Sequence, residues 1–158
     1  MKWTYSNILK IVFSVAIGLL LIMVLKKHTA LLVAQTNSLP YRYLLLIKNA
    51  SAKKGDLIAI RHHPLSNMPN IILTKRLVGL PGDTITLHGQ IMKINEEWQG
   101  ALHKKNSHGH PLTPLGVRTV PPGFVFVAGS HSGSLDSRYR EFGLVQNQHI
   151  LGKVYALW

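Results

Sequence analysis

Ile71-Ile72-Leu73-Thr74-Lys75-Arg76-Leu77-Val78-Gly79-Leu80-Pro81-Gly82-Asp83 is the stretch on which the reading of this chain turns. The run from Ile71 to Val78 is rich in aliphatic and β-branched residues and reads as a strand; Pro81-Gly82-Asp83 is a turn that ends it. Side chains on a strand alternate between faces. Lys75 therefore shares a face with Ile71, Leu73 and Leu77, while Arg76 points the other way with Ile72, Thr74 and Val78. An apolar surface penalises the ammonium form and lowers a lysine pKa, which suits Lys75 to accept a proton near neutral pH. The plainer alternative is a lysine snorkelling at a sheet edge.

Around this stretch, short runs of Val, Ile and Leu recur between Gly, Pro, Asn and Asp. Leu57–Arg61, Thr84–Leu87, Ile91–Ile94, Phe124–Ala128 and Ile150–Leu157 read as further strands, with a hairpin turn at His88-Gly89-Gln90. The polar segment 95–122 reads as a loop-rich excursion. No helical stripe and no internal repeat follows residue 35. The expectation is a mostly β domain over 35–158.

Residues 1–28 are different in kind. From Ile8 to Leu25 the sequence is apolar except for Lys10 and Ser14, and Lys26, Lys27 and His28 close it. At 1.5 Å per residue it reaches about 27 Å, against roughly 30 Å of bilayer hydrocarbon, with Lys10 snorkelling. It reads as a short tip and a single transmembrane anchor. A cleavable signal peptide is the alternative, with Val33-Ala34 ending a cleavage site. Lys2 and Lys10 face Lys26 and Lys27 across the span, so charge does not orient it.

Composition excludes some chemistry. The 158 residues include no cysteine, hence no disulfide, thiolate nucleophile or cysteine zinc site. Lys and Arg number 18 against 6 Asp and Glu, a formal charge of +12 that fits either nucleic acid or anionic lipid. Nine histidines include His62-His63, His108-Gly109-His110 and His131, yet none has a recognised ligand spacing, and they read as exposed loop residues. No metal or other cofactor is expected.

Two more segments carry chemistry. Gln35-Thr36-Asn37-Ser38-Leu39-Pro40 is a polar cluster beyond the anchor, in which Pro40 holds Leu39 extended and stiffens the chain beside Ser38. Gly129 to Tyr139 (GSHSGSLDSRY) joins a Gly/Ser-rich loop to Asp136 and Arg138, a pair suited to fixing loop geometry. Ser134 in that loop is suited to accepting a hydrogen bond from Lys75.

In this order, Ser-x-Pro after a hydrophobic span, Lys-Arg…Gly-x-Pro-Gly-Asp on a strand, and Ser-x-Asp-Ser-Arg resemble the boxes of type I signal peptidases. Lys53-Lys54-Gly55-Asp56 with Leu57–Ile60, Pro121-Pro122-Gly123 with Phe124–Val127, and Ile150-Leu151-Gly152-Lys153-Val154 are similar to further segments of that family. The likeness runs from about residue 35 to the end. Pro40 two residues after Ser38, Tyr43 and the small size resemble the TraF peptidases of conjugative plasmids. Three features depart from the pattern. Arg42 stands near the place of a family glycine, Ser130 where Gly-Asp opens the last box, and two extra residues separate Arg138 from Gly143.

The resemblance implies a signal-peptidase-like β domain and a Ser-Lys dyad, with Ser38 as nucleophile and Lys75 as general base. It implies an oxyanion hole from the Ser38 N–H and the Thr36 hydroxyl, and supporting roles for Ser134, Asp136 and Arg138. Leu39, Ile72, Leu73 and Thr74 would line shallow pockets for small substrate side chains. The implied partner is a precursor protein with a signal peptide or pilin leader, alongside the lipid bilayer and a conjugative secretion complex, and not nucleic acid. The implied location is the bacterial inner membrane, with the domain outside the cytoplasm. The rival reading is a non-catalytic, basic, membrane-anchored component that binds anionic lipid or DNA. Self-cleaving repressors share the dyad but carry a helix-turn-helix, for which this chain has no room.

Overall fold

The computed structural model describes residues 5–35, 39–61, 71–106, 109–131 and 133–157. It opens with helix α1, Tyr5–His28, none of whose side chains is buried and which is long and apolar enough to cross a membrane. Its length is about 36 Å at 1.5 Å per residue, about a turn more than the roughly 30 Å of a bilayer core. The carbonyls at its end find a partner in the domain: Lys48 Nζ donates to Lys26 O at 3.3 Å and to Lys27 O at 3.2 Å. A cation there meets both the orphan carbonyls and the negative end of the helix dipole.

Among the described residues, eleven strands follow in two antiparallel sheets. They are β1 (Thr29–Val33), β2 (Tyr43–Lys48), β3 (Leu57–Ile60), β4 (Leu73–Gly79), β5 (Thr84–His88), β6 (Ile91–Ile94), β7 (Trp98–Ala101), β8 (Arg118–Thr119), β9 (Phe124–Ala128), β10 (Val145–Gln146) and β11 (Ile150–Ala156). The larger sheet runs β1-β2-β11-β3-β4-β9-β10 and the smaller β7-β6-β5-β8. The only helical turn described after α1 is a 3₁₀ turn, Asn147–His149.

The register sorts the core by face. Across β3 and β4, Ile58 stands opposite Lys75 and Ile60 opposite Leu73, so Lys75 shares the face of Leu73 and Leu77. That face packs Ile58, Ile60, Leu77, Val125, Val127, Phe142 and Val145 together. Leu57, Ala59, Leu44, Leu46 and Val154 cluster with Leu39, and Phe126 and Ala128 join the residues of the small sheet, Ile85, Met92 and Ile94. The register of β11 against β3 shifts between Ile150 and Gly152. Gly152 has φ 148°, and a Cβ there would lie 2.1 Å from Ile47 O, so only glycine fits.

The strands expected from sequence appear within two residues of their bounds, while five others went unread. β1 continues directly from the helix and extends the sheet upstream of residue 35. β7 and β8 lie inside the segment 95–122 that reads as loop. β7 is short, and its Gly100 leaves room for the Trp98 ring, whose nearest carbon would sit 2.4 Å from a Cβ. Neither a four-residue strand with a glycine nor a two-residue one has a period to read.

Candidate active site

Strand β4 is held in place by the residues that make the sequence pattern distinctive. Gly55 N–H donates to Leu77 O at 2.8 Å, and Leu77 N–H donates to Asp56 O at 2.8 Å. Arg76 Nη1 reaches Gly55 O at 2.6 Å. Asp56 in turn accepts from Lys53 N–H at 2.9 Å and pairs with Lys153 at 2.9 Å, joining this turn to β11. Beyond the strand, Asp83 closes the Pro81-Gly82-Asp83 turn by accepting from Leu80 N–H at 2.7 Å and Asn95 Nδ2 at 2.6 Å, and it pairs with Lys54 at 2.9 Å. Two acidic anchors therefore fix both ends of the segment that carries Lys75.

Lys75 is 4% exposed, and its Nζ donates to Ser134 Oγ at 2.6 Å. Burial pushes the ammonium pKa down to about 8; the Asp136 carboxylate opposes this and the Arg138 guanidinium assists it. Both neighbours are themselves buried and paired. Arg138 Nε donates to Asp136 Oδ1 at 2.8 Å and Nη2 to Oδ2 at 2.7 Å, a two-pronged pair. Since the charges of this pair act in opposite senses on Lys75, desolvation remains the leading influence.

Arg138 also ties the site to the smaller sheet. Its Nη1 donates to Ala101 O on β7 at 2.8 Å, and its Nη2 to the carbonyls of His131 at 3.3 Å and Ser134 at 3.2 Å. Asp136 Oδ2 accepts from Gly129 N–H at 2.8 Å. The loop that presents Ser134 is thus pinned at its start, middle and end. Lysine at position 138 has no fork with which to make these bonds at once.

The structure gathers Lys75, Ser134, Asp136 and Arg138 in one buried cluster. Leu39, Ile72, Leu73 and Thr74 line a groove of about 530 Å³ that also reaches Lys75. Its other wall is Leu31 to Gln35 with Leu44, residues that sequence reasoning did not place at the site. Leu31 to Val33 belong to β1, Thr29–Val33, which falls between the hydrophobic span and the expected β domain, where sequence reasoning assigned no element. Ser38 and Thr36 lie outside the described residues, as do His62, His63 and His108; Gln35 and Leu39, on either side of Thr36–Ser38, both line the groove.

A family model described as "Signal peptidase, peptidase S26" matches residues 4–158, nearly the whole chain. The chain belongs to this signal peptidase family. Among curated relatives, a protein named Signal peptidase I from Pseudomonas aeruginosa is 27% identical over 155 residues, covering 76% of this chain and 54% of that protein. One from Bacillus licheniformis is 33% identical over 108 residues, covering 63% of this chain and 55% of its own length. A protein named Conjugal transfer protein TraF from Agrobacterium fabrum is 31% identical over 81 residues, covering 51% and 45%. The chain spans about half the length of the curated relatives it matches. A crystal structure of a signal peptidase I from Enterococcus faecalis covers 68% of this chain at 25% identity with a TM-score of 0.42.

Proposed function

We propose that this signal peptidase family member is a membrane-anchored serine endopeptidase that removes leader peptides from exported precursor proteins. The observation that carries the reading is Lys75: a lysine buried on a sheet face, with its pKa lowered to about 8 and its donor held by Ser134. A structural lysine gains nothing from this environment, whereas a general base needs it. Ser38 is the nucleophile. Neutral Lys75 takes its proton as Oγ attacks the scissile carbonyl, and the acyl-enzyme is then released by water activated by the same amine. The backbone N–H of Ser38 and the hydroxyl of Thr36 serve the oxyanion; losing one such donor costs about 100- to 1,000-fold in kcat.

Helix α1 anchors the domain, with the N-terminus cytoplasmic and the site at the outer face of the bacterial inner membrane. The apolar groove beside Lys75 accepts the extended segment before the cut, its small side chains lying among Leu39, Ile72, Leu73 and Thr74. The TraF relative favours a pilin precursor of a conjugative apparatus as the substrate, with joining of the new ends as an alternative fate for the acyl-enzyme. The chemistry of the site calls on no cofactor.

The test is N-terminal mass spectrometry of membrane and pilus proteins from cells carrying wild type, Ser38→Ala or Lys75→Ala. One precursor should keep its leader in both variants, and each variant should still insert. Matching N-termini in all three strains would instead favour a non-catalytic anchored component, whose binding to anionic lipid or DNA would weaken steeply with salt.

A further inference from the structure

A second cavity, of about 660 Å³, adjoins the groove and shares Ala34, Gln35 and Leu39 with it. Its character is opposite. The groove is walled mainly by aliphatic side chains, whereas this cavity runs out to Arg42, Ser130 and His131. Arg42 and Ser130 are also two of the three places where the sequence departs from its family pattern. Leu39 lines both spaces and directly follows Ser38, and Lys75 lines the groove. A peptide reacting there would have the segment before the scissile bond in the groove and the segment after it in the second cavity.

Among the described residues, no carboxylate pairs with the Arg42 of this cavity. All six Asp and Glu side chains of the chain are engaged elsewhere: Asp56 with Lys153, Asp83 and Glu97 with Lys54, Glu96 with Lys93, Asp136 with Arg138, and Glu141 with Thr113 N–H. The Arg42 guanidinium lies 5.8 Å from the centre of the Tyr43 ring. His131 Nδ1 accepts from Gly133 N–H at 3.1 Å, which puts the imidazole proton on Nε2 as a donor, and the His131 carbonyl is held by Arg138. In this cavity Arg42 supplies a positive charge and His131 an Nε2–H donor, which together suit a carboxylate.

We infer that this cavity is an anion-accepting subsite for the substrate segment that follows the scissile bond, selecting an Asp or Glu side chain through Arg42. The inference rests on the peptidase reading above and adds to it a specificity determinant. Association at so open a site is screened by salt, so the preference should be largest in dilute buffer.

The test uses the full-length chain in detergent and fluorogenic peptides with alanine one and three residues before the bond. The peptides differ only in carrying Asp, Asn or Lys at the first or second position after it. Wild type should cleave the best Asp peptide with kcat/KM about tenfold above its Asn twin, and the ratio should shrink as salt rises. Arg42→Gln should bring the Asp:Asn ratio to about one, and Arg42→Glu should turn the preference toward Lys. Equal cleavage of the Asp and Asn peptides by wild type, or a preference that survives Arg42→Gln, overturns the subsite. Failure to cleave any peptide overturns the peptidase reading, and the subsite with it.

Discussion

Lys75 and Ser134, 59 residues apart in sequence, meet in a 2.6 Å hydrogen bond in which the amine donates and the hydroxyl accepts. Lys75 comes from the middle of β4 and Ser134 from a loop whose shape is imposed by the Asp136–Arg138 pair. The hydroxyl gives the ammonium one partner and no compensating charge, so the amine is oriented while its pKa stays low. Ser134→Ala should therefore leave KM close to wild type and lower kcat by about 10- to 100-fold, as expected for a lost positioning contact. Measuring kcat and KM separately on a leader peptide checks this; a change confined to KM would assign Ser134 to substrate binding instead.

Activity should follow the protonation of Lys75. With a folded pKa of about 8, roughly a tenth of the molecules hold a neutral amine at pH 7 and about nine-tenths at pH 9. The kcat/KM profile should rise with unit slope below pH 8 and level off above it. A flat profile from pH 6 to 10 would remove Lys75 from the role of base.

The same shift has a cost in stability. The folded pKa lies below the unfolded value of 10.5, so between those values the unfolded chain binds more protons and stability rises with pH. Below about pH 8 both states are protonated and the full burial cost is present, about 3 kcal/mol by the size of the shift. Lys75→Met removes that cost and forfeits the bond to Ser134, worth about 1 kcal/mol. This variant should therefore melt above wild type at pH 7, with the gap closing as pH approaches 10. Thermal unfolding at the two pH values decides it.

Arg138→Ala leaves Asp136, which is fully buried, without its cation, and frees three carbonyls on β7 and the Ser134 loop. Breaking a buried pair on one side costs about 3–5 kcal/mol. Arg138→Lys should recover little, since an ammonium cannot make the two-pronged contact. Chemical denaturation of both variants is the measurement; a loss below about 1 kcal/mol would mean the pair is dispensable.

What could be read from the sequence followed from local pattern. Six strands carried enough β-branched and aliphatic residues to stand out, and alternation alone placed Lys75 on the face of Leu73 and Leu77. Asp136, Arg138 and Ser134 were legible as a loop suited to meeting a lysine. Other features depend on partners far along the chain. β1 becomes a strand only by pairing Thr29–Val33 with residues 43–47, and no residue within it says so. That no carboxylate among the described residues pairs with Arg42 is likewise invisible until each has been traced to its partner.

Gly152 sits where β11 crosses from one register to the next between β2 and β3, with Lys48 opposite it on one side and Ala59 on the other. Its φ of 148° belongs to glycine, and a methyl group would meet Ile47 O at 2.1 Å and Asn49 N at 2.9 Å, both backbone atoms that cannot move without breaking the ladder. Gly152→Ala should force β2 and β11 apart at the end of β2 that carries Lys48. The strain should cost about 2–4 kcal/mol, at the upper end of single substitutions. Because Lys48 also caps α1, the damage should reach the junction between anchor and domain: limited proteolysis of the detergent-solubilised variant should cut near Thr29 faster than in wild type. Unchanged stability would mean that the bulge relaxes, and that glycine is not required where the register of β11 against β3 shifts.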